Sequence, residues 1–173
     1  MPSCVIRELR ISETGLLEQA TLENLNAVRQ RFTINDIRAR PDFAHYTLLV
    51  PGRGDFGFVA EVDGQTIGVG WALFLPEDDP GYGFVDGHIP EIGLWVSATS
   101  RGQGVGRALL QRLIAAGTDR ELPGLSLSVE QGNSARNLYL SCGFADVAGL
   151  EAHGVMLREL RQKPRGKIDH KKT

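Results

Sequence analysis

Arg101-Gly102-Gln103-Gly104-Val105-Gly106 sets three alternating glycines between two segments of different period. Ile92–Ser97 before it reads as a strand, and Val105, Ala108, Leu109, Leu113 and Ala116 after it recur at helical spacing. The chain must therefore pass from sheet to helix within this turn. A helix that opens there presents unpaired N–H groups and the positive end of its macrodipole, and glycines without Cβ let a phosphate reach the backbone. Arg101 and Arg107 can add charge-assisted hydrogen bonds worth about 1.5–3 kcal/mol. The glycines alone are also compatible with a tight turn that holds nothing.

Two common phosphate sites do not fit. A P-loop requires Gly-Lys-Ser/Thr, and residues 1–157 contain no lysine. The dinucleotide fingerprint requires G-x-G-x-x-G, usually on the first strand of a βαβ repeat. Here the spacing is G-x-G-x-G, late in the chain and after a predicted antiparallel hairpin.

The remaining pattern predicts a strand over Val5–Ile11, Ser12 as a helix N-cap, and a helix through Leu16, Leu17, Ala20, Leu25 and Val28 to about Phe32. A second short helix, Asn35–Arg40, is stopped by Pro41. Phe56–Val62 and Thr66–Leu75 form a hairpin about Asp63-Gly64-Gln65, because Asp-Gly tolerates the positive φ angles of a tight turn. Pro76–Pro90 is a loop, and Gly117 and Pro123 bracket the exit of the helix after the glycine turn. Leu125, Leu127 and Val129 alternate with Ser126, Ser128 and Glu130 as a further strand. A helix over Ser134–Ser141, then strands over Phe144–Val147 and Val155–Leu160, complete an order β-α-α-β-β-β-α-β-α-β-β. With no repeat period, this order predicts an α/β or α+β sheet with helices on both faces.

Composition limits the class. A chain of 173 residues, 42% hydrophobic and 23% charged, suits one domain, expected over residues 1–160, that builds its core without disulfides or metal. No apolar run reaches the ~18 residues of a membrane helix, and Cys4 and Cys142 suit a reducing compartment, so a cytoplasmic protein is expected. The formal charge of −2 conceals −7 over residues 1–157 and +5 over residues 158–173. The basic end, residues 161–173, reads as a solvated, disordered tail rather than a nucleic-acid site. His45, His88, His153 and His170 lack ligand spacing, so no metal is expected.

Arg101-x-x-Gly104-x-Gly106, preceded by Glu91-Ile92-Gly93-Leu94-Trp95-Val96 and followed by Arg107-Ala108-Leu109-Leu110, resembles a motif of the GNAT N-acetyltransferases. Asn133-Ser134-Ala135-Arg136-Asn137-Leu138-Tyr139, then Gly143-Phe144, resembles a second, and the element order extends the likeness over roughly residues 4–160. The resemblance implies a mixed, mostly antiparallel sheet flanked by helices. It implies acetyl-CoA, or another acyl-CoA, on the turn of Arg101, Gly102, Gln103, Gly104, Val105, Gly106 and Arg107. It also implies pairing of the pantetheine arm with the backbone of Leu94, Trp95 and Val96, a splay between that strand and Leu125–Glu130, and a contact from Asn133. Asn133 is equally an N-cap for the helix after it.

For catalysis, the resemblance puts Tyr139 in the general-acid position. A tyrosine pKa near 10 exceeds that of a thiol near 8.5, so donation of a hydrogen bond to the departing sulfur is the alternative. Glu91 occupies the place of a catalytic base, with His88 and Glu130 in reserve. In the branch that acetylates ribosomal-protein N-termini a glutamate precedes a valine on the later strand; here Ser128 precedes Val129, against that mechanism. The implied reaction is direct attack by a primary amine of a small molecule or peptide in a ternary complex. The competing reading is a non-catalytic acyl-CoA-binding module. Glu77, Asp78, Asp79, Asp86 and Glu91, with no Lys or Arg among them, suggest an acidic mouth for a cationic acceptor. A homodimer is compatible with the family; membranes and nucleic acid are not expected partners.

Overall fold

A computed structural model describes residues 3–160; the expected basic tail lies outside them. In chain order the elements are β1 (Cys4–Glu8), α1 (Thr14–Leu25), α2 (Ile34–Ala39), α3 (Pro41–Ala44), β2 (Phe56–Val62), β3 (Gln65–Leu73) and β4 (Glu91–Val96). They continue with α4 (Val105–Asp119), β5 (Gly124–Ser128), α5 (Ala135–Ser141), β6 (Ala145–Asp146) and β7 (Val155–Glu159). The sheet order is β1-β2-β3-β4-β5-β7-β6. Every neighbouring pair is antiparallel except β4 with β5.

The hairpin forms where the sequence places it. Asp63 and Gly64 have φ of 51° and 76°, as a two-residue turn between right-twisted strands requires. Strand alternation then divides the core. Phe56, Phe58, Ala60, Ala72 and Ile92 pack on Leu109, Leu110 and Leu113 of α4, while Val59, Val69, Trp71, Leu73 and Trp95 join Leu17 and Ala20 of α1. Helices therefore cover both faces, as expected.

Four local expectations change. Ser12 does not cap α1: Glu13 holds that position, and its carboxylate binds the Arg7 guanidinium (2.7 and 3.0 Å) and the Arg10 N–H (2.8 Å). The helix stops at Leu25 instead of reaching Phe32. Asn26 is the reason, since its Oδ1 accepts from the N–H groups of Arg31 (2.9 Å) and Phe32 (3.0 Å) while its Nδ2 donates to the Phe32 carbonyl (3.0 Å). Pro41 ends α2 but also opens α3, where its missing N–H costs nothing. Gly117 lies inside α4 against Leu160 and Leu125, and the chain leaves that helix through Glu121 at φ 56°.

The parallel junction positions the site. β4 and β5 pair at one register position, Glu91 with Ser126, closed by the Ser126 N–H donating to the Pro90 carbonyl (3.1 Å). Beyond it the strands part. Asn26→Ala removes the three bonds its side chain makes to the turn after α1, and is expected to lower unfolding free energy by about 1–3 kcal/mol in urea titration.

Candidate active site

A cleft of about 1450 Å³ runs through the gap where β4 and β5 separate. Its α4 side is built by the glycine turn. Gly102 and Gly104 have φ of 73° and 83°, a left-handed backbone that favours glycine, and Gly104 is the N-cap of α4. Among the described residues, no N–H from Gly102 to Arg107 donates a backbone hydrogen bond of ordinary geometry. A Cβ at Gly102 or Gly104 would meet nothing within 4 Å, so those N–H groups stand over open space. The turn can accept an anion as folded.

The side chains around it divide. Arg101, Gly102, Gly104, Gly106 and Arg107 line the cleft. Arg101 donates to the Val96 carbonyl (3.1 Å), and Arg107 donates to Ser141 Oγ (2.9 Å), tying the turn to β4 and α5. Gln103 and Val105 do not line it: Gln103 turns back to the Thr99 carbonyl (3.1 Å), and Val105 is buried in the core. To an anion on the turn these two could offer only their backbone N–H groups.

Leu94, Trp95 and Val96 line the cleft along the β4 edge that β5 no longer covers. Trp95 is anchored by its indole N–H, which donates to Glu23 Oε2 of α1 (2.5 Å). Opposite, Asn133 lines the cleft; it is not the N-cap of α5, a position Ser134 holds, but its Oδ1 accepts from the Ala135 N–H (3.0 Å) just before that helix. An open strand edge, a row of unbonded N–H groups and two arginines fit a chain of amides ending in phosphates. The donor set therefore suits acetyl-CoA.

Tyr139 projects from α5 into the core at 8% exposure, edge-on to Phe144 (ring centroids 5.9 Å), and still lines the cleft. Burial pushes its phenol up to about 12. It is a hydrogen-bond donor across the neutral range. Its hydroxyl makes no hydrogen bond to the described residues.

Glu91 stands at the head of the splay at 6% exposure. Its Oε1 accepts from the Tyr46 hydroxyl (2.8 Å) and the Gly83 N–H (3.0 Å), while Oε2 is sealed from solvent without a partner. Burial pushes its carboxyl up to about 7, against the two hydrogen bonds, which lower it. The group is thus poised to gain or lose a proton near neutrality.

Residues that sequence reading missed complete the opposite wall. Phe32 and Phe43 meet edge-on (4.9 Å), Phe43 lies 6.5 Å from Tyr82, and Tyr82 lies 6.4 Å from Tyr46. Trp71 closes this wall, its indole N–H bound to the Tyr46 carbonyl (3.1 Å). Arg40 stacks over Phe43 (4.0 Å) and Arg31 over Phe32 (5.3 Å). No spacing signals this group, because it gathers from the turn after α1, from α3, from two separate loops and from β3.

Three expectations fail here. Of the acidic residues Glu77, Asp78, Asp79, Asp86 and Glu91, only Glu91 lines the cleft; the other four lie outside it. Asp79 binds His45 (2.9 Å), and Asp86 binds its neighbour His88 (3.0 Å). His88 itself is exposed and borders a separate pocket near Pro123. Glu130 reaches the cleft, but it is committed to Arg31 (2.7 Å). No group of three or more His, Cys, Asp or Glu among the described residues is arranged to hold a metal ion.

Known proteins share this architecture. The acetyltransferase (GNAT) family model matches residues 21–144. An acetyltransferase of the GNAT family from Staphylococcus aureus superposes with a TM-score of 0.67 at 15% identity, covering 92% of this chain and 100% of its own. A GCN5-related N-acetyltransferase from Kribbella flavida superposes with 0.64 at 22% identity, covering 91% and 98%. A putative acetyltransferase from Salmonella typhimurium, solved with acetyl-CoA, gives 0.62 at 19% identity over 97% and 99%. No curated protein matches the sequence significantly.

The buried carboxyl has a consequence for stability. A group whose pKa is higher folded than unfolded favours the fold while protonated, so this contribution is complete below about 4.5 and lost as pH rises through about 7. The loss is at most about 3–4 kcal/mol. Glu91→Gln is neutral at every pH. Its melting temperature relative to the wild type is expected to rise between pH 4.5 and 7 and then level, in thermal melts across that range.

Proposed function

Because the chain belongs to the GNAT acetyltransferase family, we propose that it is an N-acetyltransferase that moves an acetyl group from acetyl-CoA to a primary amine of a small molecule or peptide. Attack is direct, with both substrates in the cleft together. The observation that carries this reading is Glu91, a buried carboxyl near pKa 7 at the point where β4 and β5 part.

Acetyl-CoA supplies an acyl group activated as a thioester. The N–H groups from Gly102 to Arg107, with the Arg101 and Arg107 side chains, hold its phosphates; the β4 edge at Leu94–Val96 and Asn133 hold its amide-bearing arm. Phe32, Phe43, Trp71 and Tyr82 present aromatic faces to the body of the acceptor and exclude water from it. Glu91 takes up the proton the amine must lose. Tyr139 keeps its proton and donates a hydrogen bond to the sulfur as it leaves, which matches a phenol held near 12 better than outright proton transfer does.

Two measurements test this. With acetyl-CoA and a panel of amines, wild-type kcat/KM is expected to rise with pH through about 7. Glu91→Gln should lower it by about 10²–10⁴ and abolish that limb, with the acetyl-CoA thermal shift retained. Tyr139→Phe should cut kcat for thiol release by about tenfold or more while leaving the KM for acetyl-CoA unchanged, the signature of a contact made in the transition state. Absence of any thermal shift with millimolar acetyl-CoA would remove the reading altogether.

A further inference from the structure

Glu91 lines the cleft, but at 6% exposure it shows little of its side chain there. Both Oε1 hydrogen bonds are already taken, by the Tyr46 hydroxyl (2.8 Å) and the Gly83 N–H (3.0 Å). Oε2 is shut off from solvent, and Gly81 covers it so closely that a Cβ there would overlap the oxygen. That cover is itself fixed, because Gly83 lies against the backbone of Leu127 and Ser128 where a Cβ would also overlap. The carboxylate therefore offers an acceptor amine no oxygen that is both exposed and unpartnered. Tyr46 is the side chain that both bonds Glu91 and lines the cleft.

Tyr46 is also held in place for exchange. It stands on the single turn His45–Thr47, its ring edge-on to His45 (4.4 Å), and its hydroxyl oxygen accepts the Tyr82 N–H (2.7 Å). A phenol has one proton and two lone pairs, so a second lone pair remains for a proton arriving from the cleft.

We propose that Tyr46 relays the acceptor's proton to Glu91, an inference that rests on the acetyltransferase reading above. As the amine nitrogen bonds to the acyl carbon, its N–H bond breaks and an O–H bond forms at Tyr46 Oη. The former Tyr46 O–H bond breaks and a bond from that hydrogen to Glu91 Oε1 forms. The phenol ends neutral, and the carboxylate ends as a carboxylic acid, which returns the proton to water along the same path once product leaves. Transfer is concerted at Tyr46, because burial and the neighbouring Glu91 charge hold its phenol far above the ordinary tyrosine range. Among the described residues, Glu91 and Tyr46 bond no charged side chain that competes for the proton. The groups facing them are the Gly83 and Tyr82 N–H groups, the Tyr82 ring, whose hydroxyl binds Asp42 (2.8 Å), and His45, which is bound to Asp79 (2.9 Å).

The experiment compares Tyr46→Phe, Glu91→Gln and wild type in full pH–rate profiles and in mixtures of H2O and D2O. Tyr46→Phe is expected to lower kcat about a hundredfold with the KM for acetyl-CoA unchanged. Its acidic limb should also move to higher pH, because the lost hydrogen bond is one that lowers the Glu91 pKa. The wild-type proton inventory should be curved, two protons being in flight. If Tyr46→Phe stays within threefold of wild type with the limb unmoved while Glu91→Gln is inactive, the relay is overturned and Glu91 still stands. If both variants retain full activity, the assignment of Glu91 falls with it. Should Tyr46→Phe fail to bind acetyl-CoA, 3-fluorotyrosine at position 46 keeps the ring and hydrogen bond. A shifted limb then supports the relay, and an unchanged profile overturns it.

Discussion

Beyond the register pair of Glu91 and Ser126, β4 and β5 exchange no further ladder hydrogen bonds among the described residues, so a sheet covered on both faces carries an unpaired backbone edge in its interior. Buried N–H and C=O groups are nearly always paired, by protein, water or ligand. A gap of this kind persists only where the surroundings hold the strands apart. Here β4 is fixed on its other side by an antiparallel ladder with β3 over Glu91–Val96, and β5 by one with β7 over Gly124–Ser128. Each strand is satisfied away from the gap, which leaves the facing edges available to an extended ligand.

The same gap joins two chemically different chambers. On the α4 side lie the unbonded N–H groups of the glycine turn, two arginines and the end of α5, a surface for phosphates and amides. On the other side lie the aromatic rings from Phe32 to Trp71 and the buried carboxyl of Glu91. Burial raises the pKa of both Glu91 and Tyr139, with opposite results. For a carboxyl that begins near 4.5 the rise brings titration to neutrality; for a phenol that begins near 10 it removes titration from the neutral range. One physical effect thus separates a proton acceptor from a hydrogen-bond donor.

Legibility followed the range of the interactions. The Asp63-Gly64 hairpin, the glycine turn and the inner face of α4 depend on residues within a few positions of one another, and all three were readable. The end of α1 was not, because Asn26 competes with the helix by binding the backbone of Arg31 and Phe32, an alternative that periodicity does not register. Tyr46 was missed because its partner is 45 positions away and reaches it only once the loop before β4 folds back. The acidic loop misled for a related reason: its charges cluster in sequence, but Asp79 and Asp86 are taken by histidines away from the cleft.

What the sequence determined by itself is therefore local and geometric: left-handed glycines that only a strand-to-helix turn needs, alternation that divides residues between two faces, and a motif order that resembles one family. What only the tertiary structure decided is which polar groups lose water together. Glu91 reads in sequence as a charged residue beside a proline, and it becomes a carboxyl poised near neutrality only when Tyr46, Gly81 and Gly83 close around it. Desolvation is a property of the whole enclosure, so no spacing along the chain can express it.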